Sequence, residues 1–383
     1  MRSRNGARRL VGVAAMFVVA VALAACGSET EKSGGEASTG TGTGAATSTT
    51  PEKLTTNGPL TIGGWGGTYD KATTTHYLKP FEAERGPASR FVDASGTQVA
   101  RLQAQKKANR IQWDLVDSIS AADGFMAYKL GLLEPLPAEL KAKFVKILGP
   151  GKVSDFGFTM GNLGNAIVCN MEVMKACPQT AADFFDPQKF PQQRTVKGFG
   201  PLETVTLAMQ AAGTPASETA TTPVDLDAAF QQLDKIKSKI KTEWQSGDQG
   251  NQLIRDDEVQ MGVFWTGRIA QLQRDTGMKL ETNLNGAVYE PGYWAVVKGA
   301  PNKDAAFALM DWIAEHPEEQ AKWSQELQYS VPNPKALTFM PADVASKLVD
   351  EPSNFEKLAV PNYEWYVENA DELNTRWQNW LKG

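Results

Sequence analysis

Histidine is nearly missing from this chain: His76 and His316 are the only two in 383 residues. Far apart in sequence, they cannot supply a His-x-x-x-His zinc helix or a His-rich metal site, and no metal or other cofactor is expected. A Ser/His/Asp catalytic set would have to rest on one of them. Cysteine is almost as scarce, with three residues. Nor is there an excess of basic side chains. The 39 Lys+Arg against 44 Asp+Glu give a formal net charge of −5, which argues against a nucleic-acid partner, because affinity for phosphates comes largely from Lys and Arg. Beyond the first twenty-five residues no apolar run approaches the ~20 residues needed to span a bilayer, so a polytopic membrane protein is excluded. What remains is an ordinary globular balance, 42% hydrophobic and 22% charged, with length for two packed lobes of roughly 150 residues each.

The N-terminus reads as a targeting segment. Arg2, Arg4, Arg8 and Arg9 precede an apolar run from Leu10 to Ala22, too short for a comfortable membrane span and typical of a secretory signal over residues 1–25. The run leads into Leu23-Ala24-Ala25-Cys26-Gly27, which resembles the lipobox of bacterial lipoproteins, with Cys26 lipidated and left as the first residue. The alternative is a chance Cys26 beside an ordinary cleavage site. Removing residues 1–25 takes four arginines and no acid, and lowers the formal charge to −9. Residues 26–56 are dominated by Gly, Ser, Thr, Ala and Glu. Such a segment buries too little apolar surface to offset its ordering entropy and is expected to act as a flexible tether.

After export the two other cysteines, Cys169 and Cys177, meet an oxidising setting, and a local disulfide is expected. Cys169 ends the apolar run Ala166-Ile167-Val168, read as a strand, and Cys177 follows Met171–Ala176, read as a short helix. The bridge would staple one to the other; two free buried thiols are the alternative.

Short strands alternate with longer helical stretches along the rest of the chain. Leu60–Tyr69 reads as a short β-type run ending in glycines, followed by a helical stretch to Arg85; Trp113–Asp117 reads as a strand, and Thr97–Ala108 and Ala121–Leu130 as helices. This alternation implies βαβ units and an α/β fold with mostly parallel sheets. Ligands in such sheets bind at the carboxyl ends of strands, here Trp65–Thr68 and Asp117–Ser120. After Pro135–Pro137 the pattern turns irregular. A second α/β region follows, with helices over Pro201–Ala212 and Asp225–Gln245 and a strand over Val259–Trp265. Trp294–Lys298 reads as a strand returning to the first lobe. Lys303–Glu315 reads as a helix, with Ala306, Leu309, Met310 and Ile313 at helical spacing.

Several blocks now stand in a telling order: Gly64-Trp65-Gly66-Gly67-Thr68-Tyr69, Trp113-Asp114-Leu115-Val116, Ala182–Asp186, Glu258–Arg268, Tyr293–Asn302 and Tyr329–Asn333. Together they make the chain resemble the extracellular solute-binding proteins of ABC importers, in the group related to spermidine/putrescine receptors. The resemblance spans Leu60 to about Leu337. It implies a two-lobed periplasmic-binding-protein-like fold of type II, joined by hinge segments and closing on a small solute. Lobe 1 would take residues 57–160 and 292–338, and lobe 2 residues 161–291 and 339–383. Such a receptor does no chemistry. It is expected to be a monomer, lipid-anchored at the outer face of the cytoplasmic membrane, and to present its closed form to an ABC permease and its ATPase.

The resemblance also suggests a site. Trp65, at the end of the first strand, matches an aromatic wall that attracts ammonium groups and packs on methylenes; a core-filling Trp is the competing reading. Gly67 would let backbone approach the ligand. Trp265 matches a stacking Trp, and Arg268, just beyond it, could hold a carboxylate in a two-pronged pair or be a solvated or inter-lobe ion pair. Glu203 matches an acid that holds an ammonium, though at a helix start it could serve the helix dipole alone. The second amine-binding Asp of the group falls on Tyr293, with Glu290 the nearest acid. Ser118, Ser120 and Tyr329 are candidate hydrogen-bonding neighbours, or turn and packing residues. The loss of one acid and the presence of Arg268 shift the expected solute from a polyamine toward one with an amine and a carboxylate, of the γ-aminobutyrate kind. Two other functions stand beside this one: an extracellular hydrolase using Asp117 and Glu203 as an acid–base pair, and a sensor or adhesion lipoprotein not coupled to transport.

Overall fold

The computed structural model describes residues 53–383. The signal segment, Cys26 and nearly all of the expected tether lie outside the described residues. The last tether residues are already attached: the Leu54 amide donates to the Arg85 carbonyl at 2.9 Å.

Among the described residues, nine strands form two sheets. They are β1 (Leu60–Gly64), β2 (Ser89–Asp93), β3 (Leu115–Ser120), β4 (Gly157–Thr159), β5 (Leu163–Asn170), β6 (Arg194–Thr195), β7 (Met261–Trp265), β8 (Leu280–Glu290) and β9 (Gly292–Val296). The first sheet has the order β2-β1-β3-β9-β4 and the second β6-β7-β5-β8. Their central strands are buried on both faces, as in β1, β5, β7 and β9; β7 and β9 accordingly read as apolar runs, while β5 buries Asn165 and Asn170 among its apolar residues.

The sheets are more mixed than the βαβ pattern suggested. β1 pairs in parallel with β2 and β3, and β6 with β7. β9 runs antiparallel to β3 and β4, and β5 antiparallel to β7 and β8. The cause is the route of the chain. It leaves the first sheet after β4 to enter β5, and returns from β8 to β9 through Pro291 alone. These crossing strands arrive without a helical crossover, so nothing holds them parallel. A third passage is tied to the first, because Asn162 and Ser330 form an isolated bridge, and Ala359 then bridges Val288 of the second sheet.

Helix formation follows the apolar spacing where that spacing is clean. Lys303–Glu315 is helical over the expected span and buries Ala306, Leu309, Met310 and Ile313. Leu226–Ile236 buries Leu226, Ala229, Phe230, Leu233 and Ile236, with the Asp225 carboxylate accepting the Ala228 amide at its start. That helix was expected to run to Gln245. It stops because Ile240 and Trp244 bridge Arg194 and Lys197 instead, and the buried Trp244 indole donates to the Val263 carbonyl at 3.0 Å. Burial of one large ring outweighs the propensity of a lysine-rich extension. Ala138–Leu148 is a helix where an irregular segment was expected. Met171–Ala176 is turn and coil, not helix. Cys169 and Cys177 are bridged, with Cα atoms 5.7 Å apart, so the disulfide ties β5 to a loop.

Candidate functional site

A cavity of about 440 Å³ opens where the ends of β1 and β3 meet the ends of β7 and β8. Trp65, Ser118, Ser120, Trp265, Arg268 and Tyr329 all line it, and so do Tyr69 and Glu290.

The first wall is built by an irregularity in β3. The register between β3 and β9 shifts between Val116 and Ile119, and Ser118 takes a positive φ of 46°, a conformation that non-glycine residues rarely adopt. The bulge turns two carbonyls toward the cavity, and the Trp65 indole donates to both, to Asp117 O at 3.2 Å and Ser118 O at 3.0 Å. The Ser118 hydroxyl bonds Tyr69 and donates to Met160 O at 3.0 Å. Gly292 is required here, since a Cβ would lie 2.7 Å from Met160 O and 2.8 Å from the Ser118 Cβ. Ser120 has a local role as well: its hydroxyl caps helix Ala121–Lys129 by accepting the Asp123 amide at 3.2 Å.

Across the cavity, Trp65 and Trp265 meet edge to face with centroids 6.2 Å apart. The Trp265 ring also packs edge-on against Trp244 and Phe199. Its indole donates to Glu290 Oε2 at 3.0 Å. β7 ends at Trp265, and helix Thr266–Thr276 starts at once, which brings Arg268 to the cavity one turn later. A side chain at Gly267 would overlap the Tyr329 ring at 2.0 Å; glycine there lets Tyr329 stand beside Arg268. Burial pushes the Tyr329 hydroxyl up, against the opposing Arg268 charge. Arg268 reaches Thr68 Oγ1 and the exposed Asp248, both at 3.4 Å, and its buried Nε has no hydrogen-bond partner among the described residues.

The opposite end is anionic. Glu290, at the end of β8, is buried, and its Oε2 accepts from Asn165 Nδ2 at 2.8 Å, from Trp265 and from Lys197 Nζ at 3.1 Å. Glu203 does not line this cavity. It lines an adjoining one of about 650 Å³, where its Oε2 holds Lys197 Nζ at 2.8 Å. Glu203 is 3% exposed. Burial, reinforced by the Glu290 charge, pushes its carboxyl up to about 7, against the pull of Lys197. Lys197 shares itself between two acids, which together hold its ammonium above its ordinary range.

Two further expected residues stand apart. Gly67 begins helix Gly67–Thr73 and is exposed, outside the cavity lining. Tyr293 is buried against Phe125 and Phe156, and burial pushes its hydroxyl up to about 12. The acid at this crossing is Glu290, three residues earlier. The carboxylates considered for hydrolysis are not assembled either. Asp117 is fully buried beneath Tyr69, where burial and the Asp70 charge raise its carboxyl well above the ordinary range, and Glu203 is engaged by Lys197. Neither His76 nor His316 lines the cavity; they pair with Glu326 and Glu84. Among the described residues, no three His, Cys, Asp or Glu side chains converge as metal ligands.

Sequence reasoning passed over Tyr69 and Lys197. Tyr69 closes the first quoted block. Lys197 stands in Val196-Lys197-Gly198-Phe199-Gly200, where a lone lysine among glycines and an aromatic was the only available signal.

Known proteins match this architecture. The sequence profile described as bacterial extracellular solute-binding protein matches residues 76–350. The gamma-aminobutyric acid-binding protein of Pseudomonas aeruginosa is 30% identical over 327 residues, 84% of this chain and 90% of the relative. A solved GABA receptor is 30% identical, with a TM-score of 0.76 over 84% of this chain and 97% of its own. The spermidine/putrescine substrate-binding protein PotD of Streptococcus pneumoniae, at 18% identity and a TM-score of 0.66 over 85% of this chain and all of its own, shares the fold alone. The two helix-flanked sheets are those of a type II periplasmic binding protein, and the chain belongs to the bacterial extracellular solute-binding protein family, the solute receptors of ABC transporters.

Proposed function

We propose that this receptor captures a small solute carrying one ammonium and one carboxylate, of the γ-aminobutyrate kind, and delivers it to an ABC permease. The observation that carries this reading is that Glu290 and Arg268 line one cavity together with Trp65 and Trp265. A buried acid suits the ammonium, the guanidinium suits the carboxylate, and the ring faces suit the methylenes and the ammonium. The gamma-aminobutyric acid-binding relative and the solved GABA receptor support the same solute class. Polyamines fit less well, because a solute without a carboxylate leaves Arg268 with only the exposed Asp248 as its counter-charge.

In this reading residues 57–160 with 292–338 form one lobe and residues 161–291 with 339–383 the other, and solute contacts from both drive closure about the crossings. Cys26 carries the lipid that holds the receptor at the outer face of the membrane, as a monomer. Titration calorimetry and thermal shift with γ-aminobutyrate, other ω-amino acids, α-amino acids, betaines and polyamines test the assignment. Binding of ω-amino acids is expected to raise the melting temperature. A response confined to sugars, or to polyamines, would overturn it.

A further inference from the structure

Behind Glu290, in the adjoining cavity, stand a second acid and a cation. Lys197, 2% exposed, enters that adjoining cavity from the segment after β6 and places Nζ 2.8 Å from Glu203 Oε2 and 3.1 Å from Glu290 Oε2. The same Nζ lies 5.4 Å from the Phe199 ring centroid and 5.9 Å from that of Trp265. Two carboxylates and two aromatic rings around a buried ammonium are the surroundings that an amine guest needs. Here the protein's own side chain provides the amine.

Position turns this into a matter of specificity. The adjoining cavity, lined by Lys197, Glu203, Phe199 and Asp123, shares Trp65, Ser120 and Glu290 with the first. Glu290 is thus a wall between the two, facing Lys197 on one side and the solute cavity on the other. With Lys197 answering one of the two acids, a single negative charge remains for a solute. A second solute ammonium would enter beside a fixed cation in a desolvated space, where like charges repel strongly.

We propose that Lys197 is a specificity-determining residue: its ammonium fills the place that a second solute amine would take, so that the receptor accepts one-ammonium solutes and turns away diamines and polyamines. The inference rests on the amine-plus-carboxylate reading above and deepens it. Lys197→Ala would leave Glu203, Glu290 and the rings around an empty amine place, continuous with the solute cavity.

The test compares wild type, Lys197→Ala and Lys197→Ala/Glu203→Gln by calorimetry and thermal shift with γ-aminobutyrate, putrescine and cadaverine. Wild type should bind the diamines about a hundredfold or more weaker than γ-aminobutyrate. Lys197→Ala should gain about tenfold or more in putrescine affinity over wild type, and the double variant should lose that gain. If Lys197→Ala does not fold unaided, its refolding yield should be restored by putrescine and not by equal ionic strength of sodium chloride; no restoration would overturn the proposal. So would wild-type binding of putrescine within about tenfold of γ-aminobutyrate, or a folded Lys197→Ala without gain. Wild type silent toward every solute with an amine and a carboxylate would instead refute the solute reading itself, which separates the two failures.

Discussion

The two charged ends of the cavity are built differently. At the cationic end Arg268 comes from the first turn of a helix directly after Trp265 and leans on Thr68 and an exposed Asp248 at 3.4 Å. At the anionic end Glu290 is backed by Glu203 and Lys197 of the adjoining cavity; the three arrive from separate parts of the chain, each at most 8% exposed, and interlock at 2.8 and 3.1 Å. One end is local and partly wet; the other is dispersed in sequence and dry. Electrostatic contacts gain strength as water is removed, so the dry end should dominate affinity, while the wet end should sort carboxylates from other solutes.

Glu290→Gln attacks the dry end and should have the largest effect. Removing one partner of a desolvated charge contact weakens binding by about 2–5 kcal/mol, read by calorimetry with γ-aminobutyrate. The fold should survive, because Lys197 keeps Glu203 at 2.8 Å. Undiminished affinity would show that the solute ammonium lies elsewhere. Arg268→Ala attacks the wet end and should lose about 1.5–3 kcal/mol, the worth of hydrogen bonds to a charged group. Its loss should be confined to solutes with a carboxylate, and the melting temperature should hardly move, because its one ion pair is with an exposed partner. If Arg268→Ala cost more than Glu290→Gln, the ranking of dry over wet would be reversed.

The same contrast explains what was legible in the sequence. The fold class and the family could be read from ordered local blocks, and helix Lys303–Glu315 from its apolar spacing. Trp65 was legible as a candidate because strand ends carry sites in α/β folds, and Trp265 and Arg268 through their match to positions of the polyamine-receptor group. The anionic end was not visible as a unit. Glu203 could be matched to an acid, but nothing local says that a lysine six positions earlier folds back onto it. Tyr293 was preferred over Glu290 at the β8–β9 crossing. Within a strand a shift of a single position reverses the face presented, and a crossing of Pro291 and Gly292 hides which residue faces the cavity. The early end of the helix begun at Leu226 has the same origin, since Trp244 is claimed by a distant strand.

A smaller effect follows from the proton balance of the dry end. Glu203, ordinarily near 4.5, is pushed up to about 7 by burial and by Glu290, with Lys197 opposing. Between these values the folded protein binds a proton that the unfolded chain has released, so the stability of the unliganded protein should fall as pH rises from about 4.5 to 7 and level off above. A solute ammonium at Glu290 adds positive charge nearby and favours the Glu203 carboxylate, so binding should release protons. Affinity for an amine-bearing solute should therefore rise with pH toward 7, by at most about tenfold per pH unit, and then plateau. The other charged groups facing Glu203 are Lys197 and Glu290; Asp123 lines the same cavity, and the Tyr363 hydroxyl, itself pushed up by burial, stays neutral throughout. Calorimetry in buffers of differing ionisation enthalpy would count the protons directly. Glu203→Gln should remove both the proton release and the slope; a slope surviving in that variant would move the titrating group away from Lys197 and its two acids.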